Sequence, residues 1–95
     1  MLNIESIRDE LSPVFKKYDV NSAILFGSYA KNKATEVSDV DLLICLDITG
    51  LRFFGLIEEL RETLMKKVDL VRVDDLLNNK ELLTDILKDG VKIYG

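Results

Sequence analysis

The chain predicts a small α/β fold, one domain spanning residues 1–95, with a mixed β-sheet flanked by helices. Three observations carry this: apolar residues at helical spacing alternate with short apolar runs, polar turns punctuate them, and no repeat or linker divides the 95 residues. A chain of this length buries only about 60–65% of its unfolded surface, so one modest core is the limit.

Ile4, Ile7, Leu11, Val14, Phe15 and Tyr18 recur at helical spacing and predict an amphipathic helix over residues 4–18. Asn3 and Ser6 are both candidate caps, Ser6 with Asp9 three residues on, and Pro13 predicts a kink or a restart behind Ser12. Ala23–Phe26 is a short apolar strand ending at Gly27, and a short helix can follow from Ser28. Val40–Leu46 is apolar on both faces, the pattern of a central strand covered on both sides. Gly50 marks a turn, and Phe53, Leu56, Ile57, Leu60 and Leu64 define a second amphipathic helix over about residues 52–66. Val68–Val73 reads as a third strand, with Asp69 the odd residue. Leu82, Leu83, Ile86 and Leu87 mark a last helix stopped near Gly90, where glycine suits a left-handed C′ position. Val91–Tyr94 closes the chain as a short strand.

Composition excludes several functions. Net charge is −4, from 13 Lys and Arg against 17 Asp and Glu, which argues against a broad nucleic-acid-binding surface. No apolar stretch approaches the ~20 residues of a membrane span, and the N-terminus lacks the apolar region of a secretion signal, so a cytoplasmic location is expected. Histidine is absent. That removes Ser-His and Cys-His nucleophile pairs, His-ligated zinc and imidazole acid-base catalysis. Cys45, the single cysteine, reads as a buried core thiol. Chemistry must therefore run on carboxylates, lysines, hydroxyls and bound metal.

Two aspartates at the mouth of an apolar strand supply a place for it. Side chains alternate along a strand, so Asp39 and Asp41 share a face, continued by Leu43 and Cys45. Two half-desolvated carboxylates repel unless a cation lies between them, and magnesium, held by one or two carboxylates plus substrate phosphates, is the natural cation. Asp69 offers a third carboxylate from another strand, and two-metal phosphoryl-transfer sites need ions about 3.5–4 Å apart. Asp47 shares the parity of Asp41 but lies well along the strand and ranks below Asp69. Gly27-Ser28 supplies the anionic end: a strand broken at glycine lets backbone approach a ligand, and the helix that follows opens with free N–H groups. It is no Walker A loop, and Lys31 is a candidate for meeting phosphate charge. Each feature alone has a bland reading. Gly-Ser is a common turn, Ser28 an ordinary cap, Ser38-Asp39 turn chemistry, and Asp69 a partner for Lys66 or Lys67.

Taken together, Gly27-Ser28, ten intervening residues and Asp39-Val40-Asp41 resemble the signature of the DNA polymerase β-like nucleotidyltransferase superfamily. The stretch Leu25-Phe26-Gly27-Ser28-Tyr29-Ala30-Lys31 through Ser38-Asp39-Val40-Asp41-Leu42-Leu43 is similar to the minimal nucleotidyltransferase (MNT) group, and Val68-Asp69-Leu70-Val71 matches its segment bearing the third carboxylate. Lys31 stands where arginine is common and Asn32 where glycine is common; lysine keeps the charge but loses the bidentate fork. The resemblance implies a polymerase β-like palm fold and transfer of AMP from ATP. It implies Asp39, Asp41 and Asp69 as catalytic residues binding two magnesium ions, and Gly27 and Ser28 as nucleotide-binding residues. It further implies an antitoxin paired with a HEPN-type ribonuclease toxin and AMPylation of a toxin tyrosine. Two other readings stay open: a non-catalytic antitoxin acting by contact, and an adenylyltransferase of small molecules, for which the chain has little material to shape an acceptor pocket.

Overall fold

The computed structural model describes residues 2–47 and 50–95. Helix α1 (Ile4–Lys17) precedes strand β1 (Ser22–Phe26), the single-turn helix α2 (Gly27–Ala30) and strand β2 (Val40–Cys45). Helix α3 (Leu51–Leu64) then crosses to strand β3 (Val68–Arg72), followed by α4 (Val73–Leu76), α5 (Lys80–Asp89) and strand β4 (Val91–Tyr94). The strands form one sheet in the order β3-β2-β1-β4. β1 runs antiparallel to β2 and β4, while β2 and β3 are parallel, joined by the kind of helical crossover that parallel neighbours need. The sheet is mixed, as the sequence predicts.

One face carries the main core. Ala23 and Leu25 of β1, Val40, Leu42 and Ile44 of β2, Val68 of β3 and Ile93 of β4 pack against Ile7, Leu11, Val14 and Phe15 of α1 and Leu56, Leu60 and Leu64 of α3. The other face holds a smaller cluster, Phe26 and Leu43 beneath Leu76 of α4 and Ile86 of α5. β2 is thus covered on both sides at its middle, which explains its unbroken apolar run. Among the described residues, no helix is long and apolar enough to cross a membrane.

Several local expectations change. Asn3 is the N-cap of α1, accepting from the Ser6 amide at 2.8 Å while Ser6 Oγ accepts from the Asn3 amide at 3.0 Å. Ser6 is therefore the reciprocal partner, and Asp9 takes no part in the cap. Pro13 lies within one continuous helix. α3 ends at Leu64 because Met65 turns left-handed, with φ 54°. α4 interrupts the stretch after β3, so Val73 opens a helix and does not close a strand. Gly90 has extended geometry, with φ −65°, and not the left-handed form. Glycine is needed there for space: a Cβ would collide with the Ile86 carbonyl and stand 2.9 Å from Ile24 Cγ2. Leu87 lies outside the core at 78% exposure, leaving Ile86 as the buried anchor of α5. Cys45 is half-buried, because its face of β2 runs beyond the cover of α4 and α5.

These two leucines give a direct check. Leu11→Ala removes a fully buried side chain and should cost about 2–5 kcal/mol in denaturant unfolding. Leu87→Ala should stay within about 0.5 kcal/mol of wild type.

Candidate active site

Register decides where the aspartates meet. Parallel pairing aligns Asp41 with Asp69 and Leu43 with Val71, while antiparallel pairing sets Phe26 opposite Asp41. Asp69, Asp41 and Phe26 therefore form one transverse row on the face that carries the smaller cluster. Leu43 and Val71, two residues on, lie under the cover of α4 and α5. The acidic row falls at the rim of that cover, so Asp41, Asp39 and Asp69 are each half-buried.

Asp39 sits one residue before β2. A turn presents it: the Thr35 amide donates to Ser38 Oγ at 2.8 Å, and the Ser38 amide donates back to the Thr35 carbonyl at 3.1 Å. Ser38 does the turn chemistry, leaving the Asp39 carboxylate to the site. Lys66 Nζ steadies the connection by donating to the Glu36 carbonyl at 2.7 Å. The Lys67 ammonium lies 3.8 Å from Asp39 Oδ2 and 3.9 Å from Asp69 Oδ1, so those two carboxylates face one shared space.

Gly27 fits against Asp41. Its φ is +74°, and a Cβ at this position would overlap Asp41 Oδ2. Only glycine satisfies both the left-handed backbone and the close approach of the carboxylate. Gly27 also opens α2, whose N-terminus carries no side-chain cap, so the first amides of the turn have no partner within the helix. Ser28 follows, half-buried, its carbonyl accepting from the Lys33 amide at 2.9 Å. Strand end, glycine and helix start thus stand directly beside Asp41.

Lys31 is engaged elsewhere. Its Nζ is 2.8 Å from Asp85 Oδ1 of α5, and that bond holds the ammonium pKa above the usual lysine value. Lys31 ties α2 to α5, a link that the sequence alone did not reveal. Lys67 is the residue that sequence reasoning undervalued. Its signal was position, two residues before Asp69 on the same parity.

Burial, then repulsion from Asp69 and Asp39, raises the Asp41 pKa above the usual aspartate range, while Lys67 pulls it back. Among the described residues, no three acidic side chains already converge as a closed metal cage. The donor set nevertheless fits divalent metal completed by substrate phosphate: hard carboxylate oxygens, mutual repulsion that a cation relieves, and an ammonium drawn into their shared space.

Residues 9–95 match the family described as Polymerase beta, Nucleotidyltransferase. The chain belongs to this nucleotidyltransferase family. A Methanocaldococcus jannaschii relative, provisionally named protein adenylyltransferase MJ0128, is 44% identical over 99 residues, covering 98% of this chain and 100% of the relative. A solved structure described provisionally as a minimal nucleotidyltransferase superposes with TM-score 0.77 at 25% identity, covering 95% of both chains. A chain from the complex of tri-AMPylated Shewanella oneidensis HEPN toxin with MNT antitoxin superposes with TM-score 0.70 at 18% identity, covering 97% of this nucleotidyltransferase and 72% of that chain. That last likeness concerns the fold alone.

The raised Asp41 pKa has a stability consequence of definite sign. The folded state holds the Asp41 proton more tightly than the unfolded chain does. Its contribution is therefore lost as pH rises from the ordinary aspartate range through the raised value, and charged Asp41 costs stability at neutral pH. Asp41→Asn should melt higher than wild type at neutral pH without divalent metal. The advantage should fade as pH falls below the ordinary aspartate range. Thermal melts of both proteins across pH check this, and an advantage unchanged in acid contradicts it.

Proposed function

We propose that this nucleotidyltransferase moves AMP from ATP onto a hydroxyl, a tyrosine in our reading, of a HEPN-type toxin, and so acts as its antitoxin. The observation that carries the proposal is the joint placement of Gly27 against Asp41 and of Asp41 opposite Asp69. With Asp39 held by a turn one residue before β2, this placement supports a reading in which a backbone turn takes phosphate beside three carboxylates. The names of the relative and of the structural neighbour favour adenylyl transfer and a toxin–antitoxin setting.

The chemistry follows from these residues. The amides at Gly27 and Ser28, at the uncapped start of α2, receive the β- and γ-phosphates, fixing the direction of the triphosphate. Asp39 and Asp41 would hold divalent magnesium, and Asp69 would complete the ligand set on the acceptor side. When bound, magnesium would neutralise phosphate charge and ease ionisation of the acceptor hydroxyl. The acceptor oxygen forms a bond to the α-phosphorus while the bond to the β-phosphate oxygen breaks, and pyrophosphate leaves. Asp69, on the strand outside Asp41, takes up the hydroxyl proton. Catalysis is then mostly positioning and charge compensation, within reach of a chain without histidine.

Purified protein, ATP, magnesium and a HEPN-type protein, sought in the adjacent reading frame, supply the test. Asp39→Ala/Asp41→Ala should keep wild-type circular dichroism and lose transfer of labelled AMP by at least about a thousand-fold. Undiminished labelling refutes the proposal. If the variant loses labelling yet still neutralises the toxin, contact alone suffices for the antitoxin role.

A further inference from the structure

We propose that Lys67 is a resident counter-cation: it occupies the space shared by the carboxylates while nucleotide is absent, and thereby makes metal loading depend on nucleotide. The inference rests on the metal-binding reading of Asp39, Asp41 and Asp69.

Backbone geometry places Lys67 on the acidic face. The β2–β3 register pairs Val40 with Val68 and Asp41 with Asp69. The Val40 amide donates to the Lys67 carbonyl at 3.0 Å, which carries the alignment back beside Asp39. By strand alternation, Asp39 and Lys67 join Asp41 and Asp69 as four corners of one patch. Lys66, the neighbouring lysine, takes the other direction and donates to the Glu36 carbonyl.

The distances set Lys67 apart from the other bridging lysines. Lys17 meets Glu59 at 2.7 Å and Lys31 meets Asp85 at 2.8 Å, both committed hydrogen bonds. Lys67 stands almost equally far from two carboxylates, 3.8 and 3.9 Å, and bonds tightly to neither. That is the geometry of a counter-ion shared across a site. Its side chain is 63% exposed, so the stem can swing outward without moving the main chain, which the Val40 bond holds.

Charge then orders the binding steps. Three carboxylates and one ammonium leave the patch short of the negative charge that a free dication would find without Lys67. An arriving dication also meets repulsion from the ammonium. A triphosphate brings several negative charges, offsets that repulsion and gives the ammonium another partner. Metal therefore loads well with nucleotide and poorly without it.

The test is a Mn2+ titration of the full chain, followed by electron paramagnetic resonance of the free ion, with and without a non-hydrolysable ATP analogue. Lys67→Met should bind Mn2+ roughly ten-fold more tightly than wild type in the absence of nucleotide. The gain in Mn2+ affinity brought by the analogue should shrink by a similar factor. Lys67→Arg should stay near wild type, and Lys67→Gln repeats the experiment should the methionine variant fold poorly. Equal or weaker Mn2+ binding by the neutral variants overturns the inference and leaves the metal reading standing. Equal binding by wild type and Asp41→Asn overturns the metal reading, and this inference with it.

Discussion

The site depends on one constraint, the parallel register between β2 and β3. Val40, Leu42 and Ile44 are buried on one face of β2, and Val68 of β3 is buried beside them. A slip of β3 by one residue would send Val68 to the opposite face and turn Asp69 toward the core. Hydrophobic packing by α1 and α3 thus fixes, from the far side of the sheet, which carboxylate faces which. Where the carboxylates stand on one face is specified by burial on the other.

Holding charges together in this way works against stability. Burial and like-charge repulsion both disfavour an ionised Asp41, yet Gly27 gives up a side chain to let that carboxylate approach the turn. A protein selected for stability alone has no use for such an arrangement. It makes physical sense where a cation and a polyanion arrive together. Lys67 tempers the cost in their absence, while Lys31, bound to Asp85, secures α2 to the helical cover of the same face.

The sequence was most legible where a pattern had one physical cause. The double-sided apolar run of β2 and the helical spacing of α1 and α3 showed their elements, to within a residue or two of the observed ends. Strand parity put Asp39 and Asp41 on one face, and the odd polarity of Asp69 singled it out. Gly27 was legible as a turn, but its closeness to Asp41 depends on β1 pairing antiparallel with β2, which no local pattern encodes. Gly90 was misjudged for a similar reason: its constraint is the approach of Ile24 across the sheet, not its own φ. Leu87 fitted a helical stripe, but α5 is a short outer helix and buries a narrower strip than its apolar residues suggest. The Lys31–Asp85 pair spans 54 positions of chain (85 − 31), and tertiary folding alone creates it.

Anomalous diffraction from crystals grown with Mn2+ and a non-hydrolysable ATP analogue would show directly whether the three aspartates share a metal site. Manganese should be bound by carboxylate oxygens of Asp39 and Asp41, with Asp69 turned toward the same space and the triphosphate lying along the Gly27-Ser28 turn. Manganese held by phosphate alone, or at a place that none of the three aspartates reaches, contradicts this arrangement.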